Sequence, residues 1–343
     1  MIPVGNLYYM LLYAWGYFRA AELRDVGHDE SPNLPHLLAL VLNDRIHRLL
    51  RQGLDRGYVS IEEETRAPRG RLLFNDMVKR QTLLRGLAVC EYDELTPDVL
   101  HNRILLETIL RLAGSEKVEA PLRHELRLTA SRMSSVSRVR LTGDVFRRVQ
   151  LSRNTAQYGL LMHICELLFH ELMPDSEGAS YRFRSIADDE IRMAALFEEF
   201  LRKFYDRELP GRRAASEIMR WEAEANEPGD LVLLPVMHTD ITIRSAGRVL
   251  VVDAKYYPRH LVKNQFGGER LISEHLYQLA AYLAHVSARE PGMLVEGMLL
   301  YPQTAEPAEL RYRLLGKPVT VATVDLSADW KKIQERLIYL ATV

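Results

Sequence analysis

Apolar residues three and four positions apart open the chain. Leu7, Tyr8, Leu11, Leu12, Trp15 and Phe18 form one stripe, which predicts a helix over the first twenty residues with its aromatic face in a core. Leu37, Leu38, Val41, Leu42, Ile46 and Leu49 repeat the pattern over Leu34–Arg56, with Gly53 and Gly57 as terminators. Tyr58–Glu64 alternates as a short strand does. Its three successive acids, Glu62, Glu63 and Glu64, point to opposite faces of such a strand and read as a solvated edge rather than a metal site. Pro68-Arg69-Gly70 is a turn, Pro97 leads a helix over Asp98–Leu112, and Ala156–Leu172 is a strongly apolar helix. His163 and His170 lie seven apart on that last helix without further ligands nearby, so they read as core or surface histidines.

Pro174-Asp175-Ser176-Glu177-Gly178 breaks the pattern. Beyond it come a helix over Asp188–Arg207 and extended apolar segments at Leu231–Leu234, His238–Arg244 and Arg248–Lys255. A helix near Ser273–Val286, strands Gly297–Tyr301 and Val319–Asp325, and a helix over Ala328–Leu340 complete the chain. The expected organisation is a mainly helical N-terminal domain with short strands, residues 1–178, followed by an α/β (α+β) domain, residues 179–343. In the second domain helices flank a mixed sheet.

Composition narrows the function. With 343 residues, 47% apolar and 27% charged, the chain suits a soluble globular protein with a core large enough to need no staples. Two cysteines, Cys90 and Cys165, exclude a disulfide scaffold or a cysteine-rich zinc site and suit the cytoplasm. No apolar run reaches the roughly 18 residues of a membrane span. The apolar N-terminus has neither a preceding basic stretch nor a small-residue cleavage site, so it reads as a buried helix rather than a signal peptide, and no membrane partner is expected. A net charge of −1 excludes a general polyanion binder, although Arg123–Arg153 holds eight arginines against only Glu125 and Asp144. That segment is either a solvated surface or a contact for phosphate or an acidic partner, with Arg138, Arg140, Arg147 and Arg148 as candidates. No P-loop, nucleophile elbow, zinc-protease or dinucleotide fingerprint is present, so any nucleotide-driven motor must sit on another chain.

The chemistry concentrates in His238–Arg244 and Arg248–Tyr257, two β-branched strands joined through Ser245-Ala246-Gly247. A two-residue loop sets Asp240 opposite Asp253, and a three-residue loop shifts the pair by one; either keeps the carboxylates within reach. Alternation puts Asp253 and Lys255 on one face, with Leu250, Val252 and Ala254 on the other. Two acids and a lysine at the end of an apolar strand are costly unless something neutralises them, and carboxylate oxygens suit Mg²⁺ or Mn²⁺. Such a cation would stabilise phosphate charge and activate water, with Lys255 assisting. The following helix carries Gln278 and Tyr282 one turn apart on one face.

Asp240, then Asp253-Ala254-Lys255, then Gln278-x-x-x-Tyr282 resembles the PD-(D/E)xK nuclease superfamily, with Thr239 where that name has proline. The resemblance implies metal-binding Asp240 and Asp253, catalytic Lys255 and Gln278, and an acid from the first helix of the domain, for which Glu198 is preferred to Glu199. The opening I-P-V-x-N-L-Y-Y-M-L, the middle Y-D-E-L-T-P-D-V-L-H-N-R-I-L, and the T-D-I-T-I-R-S and V-D-A-K-Y-Y segments also resemble the McrC family, nuclease subunits of McrBC modification-dependent restriction systems. This implies Mg²⁺-dependent cleavage of double-stranded DNA bearing modified cytosine. It also implies docking of the N-terminal region into a hexameric McrB-type AAA+ GTPase ring and stimulation of that ring's GTPase, GTP entering only through the partner. A non-cleaving activator of a ring NTPase and a stand-alone repair nuclease are the alternatives. The basic loop Pro258–Arg270, with Lys263 and Arg270, is a connector or a contact with DNA or the partner.

Overall fold

The computed structural model describes residues 2–18, 31–174, 181–183, 186, 189–221, 223–224, 226–227, 230–256, 261–263, 269–304 and 306–343. The chain forms two compact units. One joins Met1–Leu34 to Arg184–Val343; the other is Pro35–Phe183.

The first unit is built on a mixed six-stranded sheet. Its strands lie in the order Glu309–Leu314, Lys317–Val324, Leu294–Pro302, Arg248–Ala254, Ile241–Ser245 and Arg213–Ala215. The three strands Arg248–Ala254, Leu294–Pro302 and Lys317–Val324 run parallel, and the outer ones pair antiparallel. The run Val249–Asp253 is buried throughout, the signature of a strand covered on both faces. Parallel neighbours need a crossover, and the Ser273–Arg289 helix supplies it between Arg248–Ala254 and Leu294–Pro302. Its Leu279, Tyr282, Leu283 and Val286 bury against Val249, Val251, Val295 and Leu299. Gly297 permits that approach, since a Cβ there would stand 2.8 Å from Leu283 Cδ1 and 3.0 Å from Leu279 Cδ2.

The N-terminal helix Val4–Ala14 belongs to this same unit, where the sequence reading assigned it to residues 1–178. Its aromatic stripe explains the difference. Tyr9, Tyr13 and Phe18 cluster with Phe200, Phe204 and Trp330, which come from the Glu190–Glu208 and Trp330–Thr342 helices. Polar ties fix the register. Asn6 Nδ2 donates to the Leu326 and Ala328 carbonyls at 2.9 and 2.8 Å, and the Tyr13 hydroxyl donates to Glu208 at 2.8 Å. The other division falls between Phe183 and Arg184, five residues past the expected 178/179 boundary. Pro174 ends a short strand, and residues 175–180 of the expected linker lie outside the described residues.

Three further differences have local causes. Leu231–Leu234 does not extend: Asp230–Leu233 is one 3₁₀ turn with exposed Val232 and Leu233. The Glu309–Leu314 strand adds an edge the sequence analysis does not include: Leu310, Tyr312 and Leu314 alternate with Glu309, Arg311 and Arg313, but on an edge strand Leu310 and Tyr312 stay exposed. Arg213–Ala215 is too short to register as a pattern.

The Pro35–Phe183 unit is mainly helical with short strands. Helices Leu34–Gln52, Leu100–Ala113, Ala120–Ser131 and Gly159–Glu171 accompany a three-stranded antiparallel sheet ordered Gly57–Thr65, Ala88–Thr96, Arg71–Leu72. Glu62, Glu63 and Glu64 lie on its edge strand and pair with Arg80, Arg69 and Arg85. The basic segment is anchored in this unit, since its Met133, Val136, Leu141 and Phe146 are buried.

Two outcomes follow. A fragment of residues 184–343 lacks the helix that covers Phe200, Phe204 and Trp330, so it is expected to show weak near-ultraviolet circular dichroism and no sharp thermal transition. Joining residues 1–34 to it by a flexible linker restores both. Gly297→Val, which overpacks the Leu279 and Leu283 contact, lowers stability by about 1–3 kcal/mol in denaturant titration.

Candidate active site

Backbone register brings the acids together. Arg248 pairs with Ser245 and Val252 with Ile241, so the loop is the two-residue Ala246-Gly247, and continuing the ladder sets Asp240 opposite Asp253. Gly247 takes a positive φ of 76°, as this tight turn requires. At the ladder's end the Asp240 side chain takes over from the main chain: Oδ2 accepts from Ala254 N at 2.8 Å.

Thr239 holds the approach to Asp240. It is buried, its N–H donates to the Glu217 carbonyl at 3.0 Å, and its Oγ1 accepts from Glu217 N at 2.9 Å. Its carbonyl accepts from Ser216 Oγ at 2.6 Å, and its hydroxyl meets that of Thr242 at 2.9 Å. Hydrogen bonding thus supplies here the rigidity that a proline would supply through its ring.

Lys255 lies on the face predicted for it. Nζ stands 3.0 Å from Asp253 Oδ2 and donates to Gln278 Oε1 at 3.0 Å. Gln278 Nε2 donates in turn to the Tyr282 hydroxyl at 2.8 Å, which donates to the His238 carbonyl at 2.7 Å. The polarity of this chain is forced. A carbonyl only accepts, so Tyr282 must donate to it and accept from the Gln278 amide, leaving Oε1 for the lysine. Tyr282 is 5% exposed, and its hydroxyl links the Gln278 amide to the His238 carbonyl.

Glu198, on the Glu190–Glu208 helix, borders the cluster. Burial raises its pKa, and the charge of Asp240 raises it further, while Arg202 pulls it down. Arg202 Nη1 donates to Glu198 Oε1 at 3.0 Å and to the Asp240 carbonyl at 3.3 Å, and Nη2 pairs with Glu199. Sequence reading missed Arg202, although its place four residues after Glu198 is a helical ion-pair spacing. It also missed His275, whose Nδ1 hydrogen-bonds the Tyr301 hydroxyl at 2.8 Å one turn before Gln278.

Burial pushes the Asp240 carboxyl up to about 6, with Asp253 adding to the rise. Burial raises Asp253 as well, against the pull of Lys255. For Lys255, burial disfavours the ammonium, but Asp253 and Asp240 outweigh it and the pKa is raised. Asp253 has no solvent exposure, and neither of its carboxylate oxygens receives a well-oriented hydrogen bond. Two adjoining acids, one of them fully buried beside the Lys255 ammonium, fit a hard divalent cation. Among the described residues no set of three or more His, Cys, Asp and Glu side chains is placed to hold a metal.

The remaining candidates lie elsewhere. Arg138, Arg140, Arg147 and Arg148 are in the Pro35–Phe183 unit. Arg138 forks onto Glu107 at 2.8 and 3.1 Å, and Arg147 pairs with Asp144. Arg140 and Arg148 are exposed and carry no ion pair among the described residues. The segment after Lys255 contains paired strands, Leu261–Lys263 against Glu269–Leu271, with Lys263 opposite Glu269 and Arg270 opposite Val262. Arg270 is exposed, and Arg259, His260 and Gly267-Gly268 lie outside the described residues.

The family described as McrBC 5-methylcytosine restriction system component matches residues 5–302. The Escherichia coli (strain K12) type IV methyl-directed restriction enzyme EcoKMcrBC is 33% identical over 338 residues, 98% of this chain and 97% of that protein. The half-complex from the tetradecameric assembly of Thermococcus gammatolerans McrB AAA+ hexamers with bound McrC contains a chain of the same fold. It aligns with a TM-score of 0.61 at 18% identity, covering 98% of this chain and 76% of that one. The chain belongs to the McrBC family of 5-methylcytosine restriction system components.

Proposed function

We propose that this chain is the nuclease subunit of a methylcytosine-dependent restriction complex, cutting DNA phosphodiesters with a PD-(D/E)xK site and working with an McrB-type AAA+ GTPase ring. The observation that carries the reading is the convergence of Asp240, Asp253, Lys255 and Gln278 at one strand end. The kinship with the E. coli methyl-directed restriction enzyme supports the restriction setting. The likeness to a chain from an McrB–McrC assembly supports the ring as partner. The complete acid–acid–lysine set weighs against an adaptor with a decayed site. Among the described residues no helix is long and apolar enough to cross a membrane.

Asp240 and Asp253 would hold Mg²⁺ or Mn²⁺, which when bound supplies charge for the phosphate oxygens and for the attacking water. The chain's own residues do the rest. Ala254 N–H fixes the Asp240 carboxylate, and the Gln278–Tyr282–His238 chain fixes the Lys255 ammonium as a donor toward a phosphate oxygen. GTP acts only through the ring, since the chain lacks a P-loop.

The direct test is cleavage of a methylated plasmid by the full chain with its ring partner, GTP and Mg²⁺. Asp253→Ala abolishes cutting and leaves stimulation of the partner's GTPase intact; cutting that persists in the variant would overturn the site. A second expectation concerns pH. Asp240 has a folded pKa of about 6 against an ordinary value of 3.8, so the folded state binds more protons between these values. Its ionisation therefore destabilises the metal-free fold, with the full penalty above about pH 6 and none below about pH 4. Asp240→Asn raises the melting temperature in EDTA at pH 7.5, and the gain disappears as pH falls to 4. Adding Mg²⁺ stabilises the wild type but not the variant.

Of the four candidate arginines of the basic segment, Arg140 and Arg148 are those without a carboxylate partner among the described residues and so are open to a phosphate or an acidic partner. Replacing both with glutamine weakens ring or DNA association, with the deficit shrinking at high salt. Replacing Arg138 and Arg147, already matched by Glu107 and Asp144, has the smaller effect in the same co-sedimentation assay.

A further inference from the structure

One guanidinium joins the two sides of the carboxylate cluster. Arg202 Nη1 reaches both Glu198 Oε1, at 3.0 Å, and the main-chain oxygen of Asp240, at 3.3 Å. Nη2 pairs with Glu199, and the side chain is 22% exposed. Asp240 is thereby held at two points: its carbonyl from the Glu190–Glu208 helix and its carboxylate from Ala254 N of the neighbouring strand. The helix is itself fixed by the burial of Phe197, Phe200, Leu201 and Phe204.

We propose that Arg202 is a positioning residue of the cation site. It fixes the turn that presents Asp240 to Asp253 and keeps Glu198 beside them. The proposal rests on the reading of Asp240 and Asp253 as cation ligands. Two effects of opposite sign meet in this side chain. As a positive charge near the acids, Arg202 opposes a cation. As a clamp on a ligand residue, it favours one, because a ligand held in place loses no freedom on binding. The geometry favours the clamp. Glu198 and Glu199 both face the one guanidinium, so little positive charge remains toward the site, whereas the bond to the Asp240 carbonyl is directional.

The test is calorimetric titration of the full chain with Mn²⁺, without DNA or partner, for the wild type, Arg202→Ala, Arg202→Gln and Asp253→Ala. Near-ultraviolet circular dichroism in EDTA reports the fold of each. Arg202→Ala is expected to weaken Mn²⁺ binding about 10- to 100-fold, the usual range for losing a group that orients a ligand. Arg202→Gln, which keeps an amide donor and loses the charge, recovers part of the affinity. If only the alanine variant is misfolded, the glutamine variant decides, and its affinity must fall between those of the wild type and Asp253→Ala. Equal or tighter Mn²⁺ binding in both Arg202 variants makes the residue a counter-ion only and overturns the proposal. A wild type that binds no more Mn²⁺ than Asp253→Ala overturns the cation reading, and this inference with it.

Discussion

A carboxylate with no solvent exposure stands near the end of a strand buried on both faces, and the arrangement around it answers that charge. Asp253 cannot be hydrated, so its neighbours must come from the fold. Lys255 arrives two residues on, just past the end of the strand, Asp240 across the hairpin, Gln278 and Tyr282 from the crossover helix, and Glu198 with Arg202 from the Glu190–Glu208 helix. The compensation is incomplete: the pKa values of Asp240, Asp253 and Glu198 are all raised. An apolar residue of similar volume would sit more comfortably at 253. A fully buried acid beside a second acid and one ammonium is a local conflict of the kind that function imposes.

The precision of the site depends on packing that begins at the other end of the chain. The N-terminal helix supplies Tyr9 and Tyr13 to the aromatic cluster that holds the Glu190–Glu208 helix, and Phe18 follows just beyond it. Residues 197, 200, 201 and 204 of that helix face the core, while Glu198 and Arg202 fall between them and face the acids. On the sheet, Val249 and Val251 pack under the crossover helix, and Asp253 follows at the same two-residue period. Gly297 lets the crossover helix come close enough for Gln278 to reach Lys255. The site and the core are thus made by alternate residues of the same elements.

Much of this was legible from local pattern. Hairpin geometry keeps Asp240 within reach of Asp253 for either a two- or a three-residue loop, and the folded chain takes the two-residue Ala246-Gly247. Strand alternation places Lys255, and helical spacing places Gln278 and Tyr282 on one face. The basic segment was legible only as a composition. That Arg138 has a carboxylate partner was not, because Glu107 lies 31 residues away on the Leu100–Ala113 helix.

Sequence by itself determined the hairpin, the nearness of its two acids, the lysine face and the helix that follows, because each is fixed by periodicity within about fifty residues. Tertiary structure alone decided that the N-terminal helix belongs with Arg184–Val343, since an apolar stripe states that a face is buried but not against what. It alone linked Tyr282 to the His238 carbonyl, which no side-chain pattern announces. It also gave Arg202 its place, since a main-chain oxygen 38 residues away is the partner that distinguishes it from an ordinary helical ion pair. The reason is common to all three: local sequence encodes direction and burial, while the identity of a distant partner exists only once the chain has closed on itself.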